Sequence, residues 1–223
     1  MNRALFLAMV ALILLLAGCH SFDRDLQSVV CIQIGSAGRA TGVIVSAEPG
    51  RVYVLTCGHA MALEGPPLVR FHDGRLAGGQ WVARSETDDL ALLSVYRRKP
   101  VHVAPIGTRA RCTRGRRVIL VGFPTSLMPH WTAGELIGGN DGEIVSNAWA
   151  CGGYSGGPLF DRATGEVLGL HVAGKCERIS VWVQTHPATQ PARGVGFVRA
   201  ARVSLAVPCW RIRRFLRSTG HWR

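Results

Sequence analysis

Residues 151–160 read CGGYSGGPLF: one serine, Ser155, with two glycines close on either side and Pro158 ending the run. Glycines open backbone conformations closed to other residues and let a foreign chain approach closely. Such a loop can aim backbone N–H groups inward beside a hydroxyl, which is the pairing of a nucleophile with donors for a developing oxyanion. Outward from this loop, short apolar segments succeed one another. VVCIQI, TGVIVS, RVYVLTC, PLVRF, QWVAR, DLALLSVY, VHVAPI, RVILVGF, HWTAGELIG and EIVSNAW precede it, and GEVLGLHVA, RISVWVQ and VGFV follow. Gly, Pro, Asp and Ser bound them, as expected of strands. Helical periodicity is absent before the C-terminal tail, apart from one turn in HAMAL after His59. The pattern predicts an all-β chain, a sandwich or a pair of barrels, without βαβ crossovers. Pro105 to Gly115 is polar and basic, the best place for a linker between two halves.

A serine hydroxyl needs a base to take its proton, and the base needs a partner to hold it. The candidate base is His59 in VLTCGHAM, where an apolar strand runs into a turn of small residues. The candidate carboxylate is Asp89 in TDDLALL, at the mouth of another apolar strand. A carboxylate there can fix the imidazole tautomer and stabilise its charged form.

In the order His59, Asp89, Ser155, this set resembles the chymotrypsin-like serine peptidases. The family's Thr-Ala-Ala-His is matched by Thr56-Cys57-Gly58-His59, and its Asp-hydrophobic-Ala-Leu by Asp89-Leu90-Ala91-Leu92. Its Gly-Asp-Ser-Gly-Gly-Pro is matched by Gly153-Tyr154-Ser155-Gly156-Gly157-Pro158. The resemblance implies a chymotrypsin-like double β-barrel with a short C-terminal helix and a serine endopeptidase working through an acyl-enzyme. Ser155 would be the nucleophile, His59 the general base and then acid, and Asp89 its orienting partner. The amides of Gly153 and Ser155 would form the oxyanion hole. The family also pairs a cysteine at the position of Cys151 with one at the position of Cys176. No cofactor and no metal are implied, and the partner would be a peptide or protein substrate.

Two departures shape the expected specificity. Tyr154 replaces the aspartate that receives a freed N-terminus in digestive members, so activation by that insertion is not expected. Trp149 stands where trypsin-like members carry an aspartate for basic residues. The pocket is expected at Trp149, Ala150, His171, Val172, Ala173 and Gly174. Its Gly-x-His pattern resembles bacterial glutamyl endopeptidases, in which the histidine contacts the P1 side chain, although Ala150 replaces their usual Ser or Thr. A Glu or Gln preference and a small apolar P1 residue both remain open. A catalytically silent peptide-binding or envelope module, or an esterase, are the alternatives on the same fold.

The N-terminus carries Arg3, an apolar run over Ala4–Ala17, and then Leu16-Ala17-Gly18-Cys19. That quartet resembles a bacterial lipoprotein signal, implying removal of residues 1–18, lipidation of Cys19, and an exported chain anchored in the membrane; His20 after it, in place of the aspartate that favours inner-membrane retention, points to the periplasmic face of the outer membrane. Cys19 aside, six of the seven cysteines remain, which can pair fully in an oxidising compartment in any of about 15 ways. The net charge of +12 is concentrated in Arg109–Arg117 and in the tail PCWRIRRFLRSTGHWR. Solvated surface and contact with anionic headgroups both fit; nucleic-acid binding does not, for want of a basic groove interleaved with aromatics. The expected plan is a tether over 19–27, barrels over 28–105 and 117–200, a linker over 106–116, and a basic, helical segment over 201–223, in a monomer.

Overall fold

In the computed structural model the backbone is described for residues 22–35, 38–124, 127–182 and 195–222, and the side chains of these except those within 175–202. A short helix, α1 (Phe22–Leu26), lies within the expected tether. The first half holds β1 (Val29–Ile34), β2 (Gly38–Glu48), β3 (Arg51–Cys57), β4 (Pro67–Arg70), β5 (Leu76–Ser85) and β6 (Leu90–Tyr96), with a 3-10 turn at Gly58–Ala62. The second holds β7 (Arg117–Gly122), β8 (His130–Gly139), β9 (Ile144–Ser146), β10 (Pro158–Asp161), β11 (Val167–Trp182) and β12 (Val195–Pro208), then helix α2 (Cys209–Thr219). Each set of six closes into an antiparallel barrel, in the orders β1-β2-β3-β6-β5-β4 and β10-β11-β12-β9-β8-β7. This is the chymotrypsin-like double barrel.

The uninterrupted apolar runs have a physical cause. Val30, Ile32 and Ile34 of β1 fill the first barrel, whereas Val29 and Cys31 face a core shared by both barrels. On β7, Val118 and Leu120 fill the second barrel while Ile119 and Val121 face the same shared core. A strand buried on both faces loses the apolar–polar alternation of a half-exposed one. Strand β5 by contrast has one face toward solvent, and its residues alternate between exposed and half-buried.

Two segments differ from expectation. VHVAPI forms no strand; Val101 and Val103 pack on the first barrel and Ala104 and Ile106 on the seam, and its ladder is reduced to one bridge from Ile106 to Val167. Both barrels are already closed, so no sheet edge remains for it to join. In the C-terminal segment β12 runs on to Pro208, and the helix starts only at Cys209. Helix α2 lays Ile212, Phe215 and Leu216 on the shared core, and Gly220 ends it in the left-handed conformation, φ 72°.

The arginine clusters are largely engaged within the protein. Arg109, Arg111 and Arg116 pair with Asp141, Glu166 and Asp161. Arg213 donates to the carbonyls of Gly107 (2.8 Å) and Ile106 (2.5 Å). Among the described residues no helix is long and apolar enough to cross a membrane. The expected lipid site Cys19 lies outside the described residues.

Candidate active site

Strand β3 ends at Cys57, and the 3-10 turn that follows lifts His59 to the surface of the seam. Asp89 immediately precedes β6, which pairs with β3 so that Cys57 lies opposite Leu90. This register brings the turns carrying His59 and Asp89 side by side. The Asp89 carboxylate accepts from the His59 amide at 2.7 Å through Oδ1, and its Oδ2 meets Nδ1 of the ring at 2.8 Å. One carboxylate thus holds both the backbone and the ring of the histidine. Asp89 adopts φ 49°, alone among the described non-glycine residues in taking a positive value, a conformation aspartate tolerates better than most. The Gly58 amide donates to its carbonyl at 2.8 Å, which helps hold the turn.

Ser155 enters from the second barrel. The next residue, Gly156, has φ 80°, and a Cβ there would lie 2.2 Å from both Thr41 O and Thr56 Oγ1 and 2.9 Å from Cys57 N. Only glycine lets the serine loop press this closely on the strand end leading to His59. No hydrogen bond joins Ser155 Oγ to His59 among the described residues; the ring Nε2 lies 3.4 Å from Cys57 Sγ. Burial pushes the Cys57 thiol up to about 12, so it is un-ionised at neutral pH.

The loop before Ser155 is tightly fixed. Gly153 has φ 92°, and a Cβ on it would come within 2.3 Å of Phe123 O. The Tyr154 amide donates to Cys151 O at 3.2 Å, and the Gly156 and Gly157 amides to His171 O and Tyr154 O, both at 2.8 Å. The Gly153 and Ser155 amides have no acceptor among the described residues. Tyr154 is fully buried, its ring edge-on to Trp149 and His130 and its hydroxyl hydrogen-bonded to His130 Nδ1. Burial raises its phenol pKa, keeping it protonated.

The residue that sequence reading missed is Thr41 on β2, fully buried. Its hydroxyl donates to Gly153 O at 2.7 Å and accepts from the Phe123 amide at 3.0 Å. Its amide donates to Ser155 O at 2.8 Å, and its carbonyl accepts from Thr56 Oγ1 at 2.7 Å. One residue of the first barrel therefore pins the carbonyls on both sides of Tyr154, in the second. Asp88 was also passed over beside Asp89. It is buried, with Arg211 Nε 2.8 Å from Oδ1 and Arg214 3.3 Å from Oδ2. The Arg211 contact is an ion pair rather than a directed hydrogen bond.

Of the expected pocket residues, His171 is buried, with Nδ1 2.6 Å from Ser204 Oγ. Burial, then the neighbouring His59, lowers its pKa to about 4, so the ring is neutral at pH 7. Trp149 packs on Tyr154 and its carbonyl accepts from Thr132 Oγ1 at 2.6 Å. Ala150 is buried, Val172 and Gly174 are half-buried and Ala173 is exposed. Cys151 carries a free thiol; the side chain of Cys176, with which it was expected to pair, lies outside the described residues.

Residues 40–170 match the family model described as "Trypsin-like peptidase domain". The chain belongs to this family. The match takes in His59, Asp89 and Ser155 together. This trypsin-like chain is 29% identical over 152 residues to Do-like protease 14 of Arabidopsis thaliana, covering 59% of its own length and 34% of the relative's. It is 25% identical over 161 residues to "Serine protease Do-like HtrA" of Lactobacillus helveticus, covering 67% and 39%. For the Bacillus subtilis protein of the same name the figures are 25% over 150 residues, 60% and 33%. The aligned region thus spans little more than a third of these relatives.

Proposed function

We propose that this trypsin-like chain is a serine endopeptidase in which Ser155 attacks the peptide carbonyl, His59 takes and returns the proton, and Asp89 holds His59. The observation that carries this reading is the double grip of Asp89 on the amide and Nδ1 of His59. It leaves Nε2 as the nitrogen facing the chemistry, the role a general base requires. Rotation of Ser155 Oγ toward that nitrogen on substrate binding completes the relay, since catalytic hydrogen bonds tighten in the Michaelis complex. The amides of Gly153 and Ser155 supply the oxyanion donors, and their lack of other acceptors among the described residues favours a hole ready before substrate arrives.

For specificity, a Glu or Gln side chain at P1 is the proposed ligand of His171. When the Ser204 hydroxyl donates to Nδ1, the neutral ring carries its proton on Nε2 and offers it to a carboxylate or amide oxygen. A buried donor left unpaired penalises ligands that lack the acceptor, which is how such a pocket discriminates. The chain is further proposed to be exported and lipid-anchored through Cys19, with peptides or proteins as substrates. The supporting feature is the apolar run ending in Leu16-Ala17-Gly18-Cys19.

A fluorophosphonate probe tests the catalytic assignment. Wild type is expected to label at Ser155, while Ser155→Ala does not and His59→Ala labels at least 100-fold more slowly, both with native thermal unfolding. Labelling of Ser155→Ala at the wild-type rate would overturn it.

A further inference from the structure

Cys112 and Cys209 bring their sulfurs to 3.7 Å across a sequence separation of 97 residues. Cys112 follows the 3-10 turn Arg109–Arg111 in the linker between the barrels, and Cys209 is the first residue of α2. We propose that these two thiols form a disulfide, made by exchange with an external disulfide, that fastens α2 to the inter-barrel linker.

A disulfide needs its sulfurs about 2.05 Å apart, so closure requires an approach of about 1.7 Å, within the reach of side-chain rotation. The two cysteines are unequal in ways that order the steps. Cys112 is half-buried and meets solvent, whereas Cys209 is fully buried. The Cys112 thiolate attacks one sulfur of the external disulfide, forming a mixed disulfide and releasing one thiolate. The Cys209 thiolate then attacks Cys112 Sγ and expels the second. Two cysteine thiols are oxidised, one external disulfide is reduced to two thiols, and the cysteine protons pass to the departing thiolates. In the reduced pair the Cys112 hydrogen bond, and then the Arg213 charge, lower the Cys209 thiol pKa, and the Arg213 charge remains to favour its thiolate in the second step. The Cys112 pKa is raised, by Cys209 first and then by burial, so capture of the oxidant is slow and speeds up at alkaline pH.

The bridge would act where the fold depends on α2. The helix covers the shared core through Ile212, Phe215 and Leu216, and Arg211 and Arg214 reach Asp88, next to Asp89. A bridge at its first residue keeps these contacts together when the rest of the helix frays, and it closes a long loop in the unfolded chain. The inference does not depend on any catalytic role for Ser155.

The test uses the purified full chain, reduced and then incubated at pH 8 with oxidised glutathione, alkylated with N-ethylmaleimide and digested without reductant. The expected result is a linked Cys112–Cys209 peptide and a rise in Tm on the order of 10 °C. Dithiothreitol should reverse both, and Cys112→Ser should show neither the linked peptide nor its share of the rise. Should Cys209→Ser fail to fold, Cys112→Ser and the wild-type peptide map decide alone. Alkylation of Cys112 and Cys209 after glutathione treatment, or linkage of either to another cysteine, would overturn the proposal.

Discussion

Thr41→Val removes one hydroxyl and nearly nothing else, because valine has almost the same shape. The lost group serves two partners, the part-buried Gly153 carbonyl and the buried Phe123 amide. A buried polar group left without a partner costs about 1–3 kcal/mol, so the two together cost roughly 2–4 kcal/mol once some relaxation is allowed. For a chain of this size that is a fall in Tm on the order of 10 °C, leaving a folded protein. The same bond holds the peptide between Gly153 and Tyr154, which lies between the two proposed oxyanion amides. Freed from Thr41, that peptide can rotate and misplace both donors. Removing a single oxyanion donor costs roughly 100- to 1,000-fold; displacing the pair without removing it is expected to slow fluorophosphonate labelling by about 10- to 100-fold. The assay measures the second-order labelling constant per folded molecule, well below the variant's Tm, alongside calorimetric unfolding. Thr41→Ser keeps the hydroxyl and should recover most of the labelling rate. Thr41→Val labelling at the wild-type rate, however much its Tm falls, would refute the link between this strut and the Ser155 loop.

The depressed pKa of His171 makes a pH prediction. The folded state keeps the ring neutral down to about pH 4, whereas the unfolded chain protonates it near pH 6.5. The unfolded state therefore binds more protons between these values, and the stability this group contributes, present in full above about pH 6.5, is lost as pH falls toward 4. The contribution is on the order of 3 kcal/mol, and His171→Gln should flatten the fall in Tm between pH 7 and pH 4.5; an unchanged slope would contradict it. His171→Ala should reduce cleavage after Glu or Gln more than cleavage after apolar residues in a peptide library, and uniform loss would remove its specificity role. Asp88→Asn abolishes the charge that Arg211 and Arg214 share, and is expected to cost about 1–2 kcal/mol, since both arginines can turn to solvent. If it leaves both urea midpoint and labelling rate unchanged, the contact between α2 and the Asp88–Asp89 turn carries no weight.

What could be read from the chain alone was local. VVCIQI, RVYVLTC and RVILVGF form strands, as their composition and boundary residues predict. The Cys151–Phe160 run needs its glycines because the backbone at Gly153 and Gly156 has positive φ. His59 and Asp89 were legible because each flanks an apolar strand within a short motif, Thr56-Cys57-Gly58-His59 and Asp89-Leu90-Ala91-Leu92. VHVAPI has the same composition and is no strand, because closure of the barrels, a property of all twelve partners, leaves it no free edge. Thr41 is one threonine in an apolar strand, and nothing near it in sequence marks it off. Its importance arises where β2 meets a loop more than a hundred residues away, and Asp88 differs from Asp89 only through the arginines α2 brings to it. Sequence thus determined most of the elements and the side chains proposed to react, because backbone propensity and glycine geometry act over a few residues. The tertiary structure alone decided which buried polar groups join the two barrels, because a hydrogen bond depends on positions fixed by the packing of both at once.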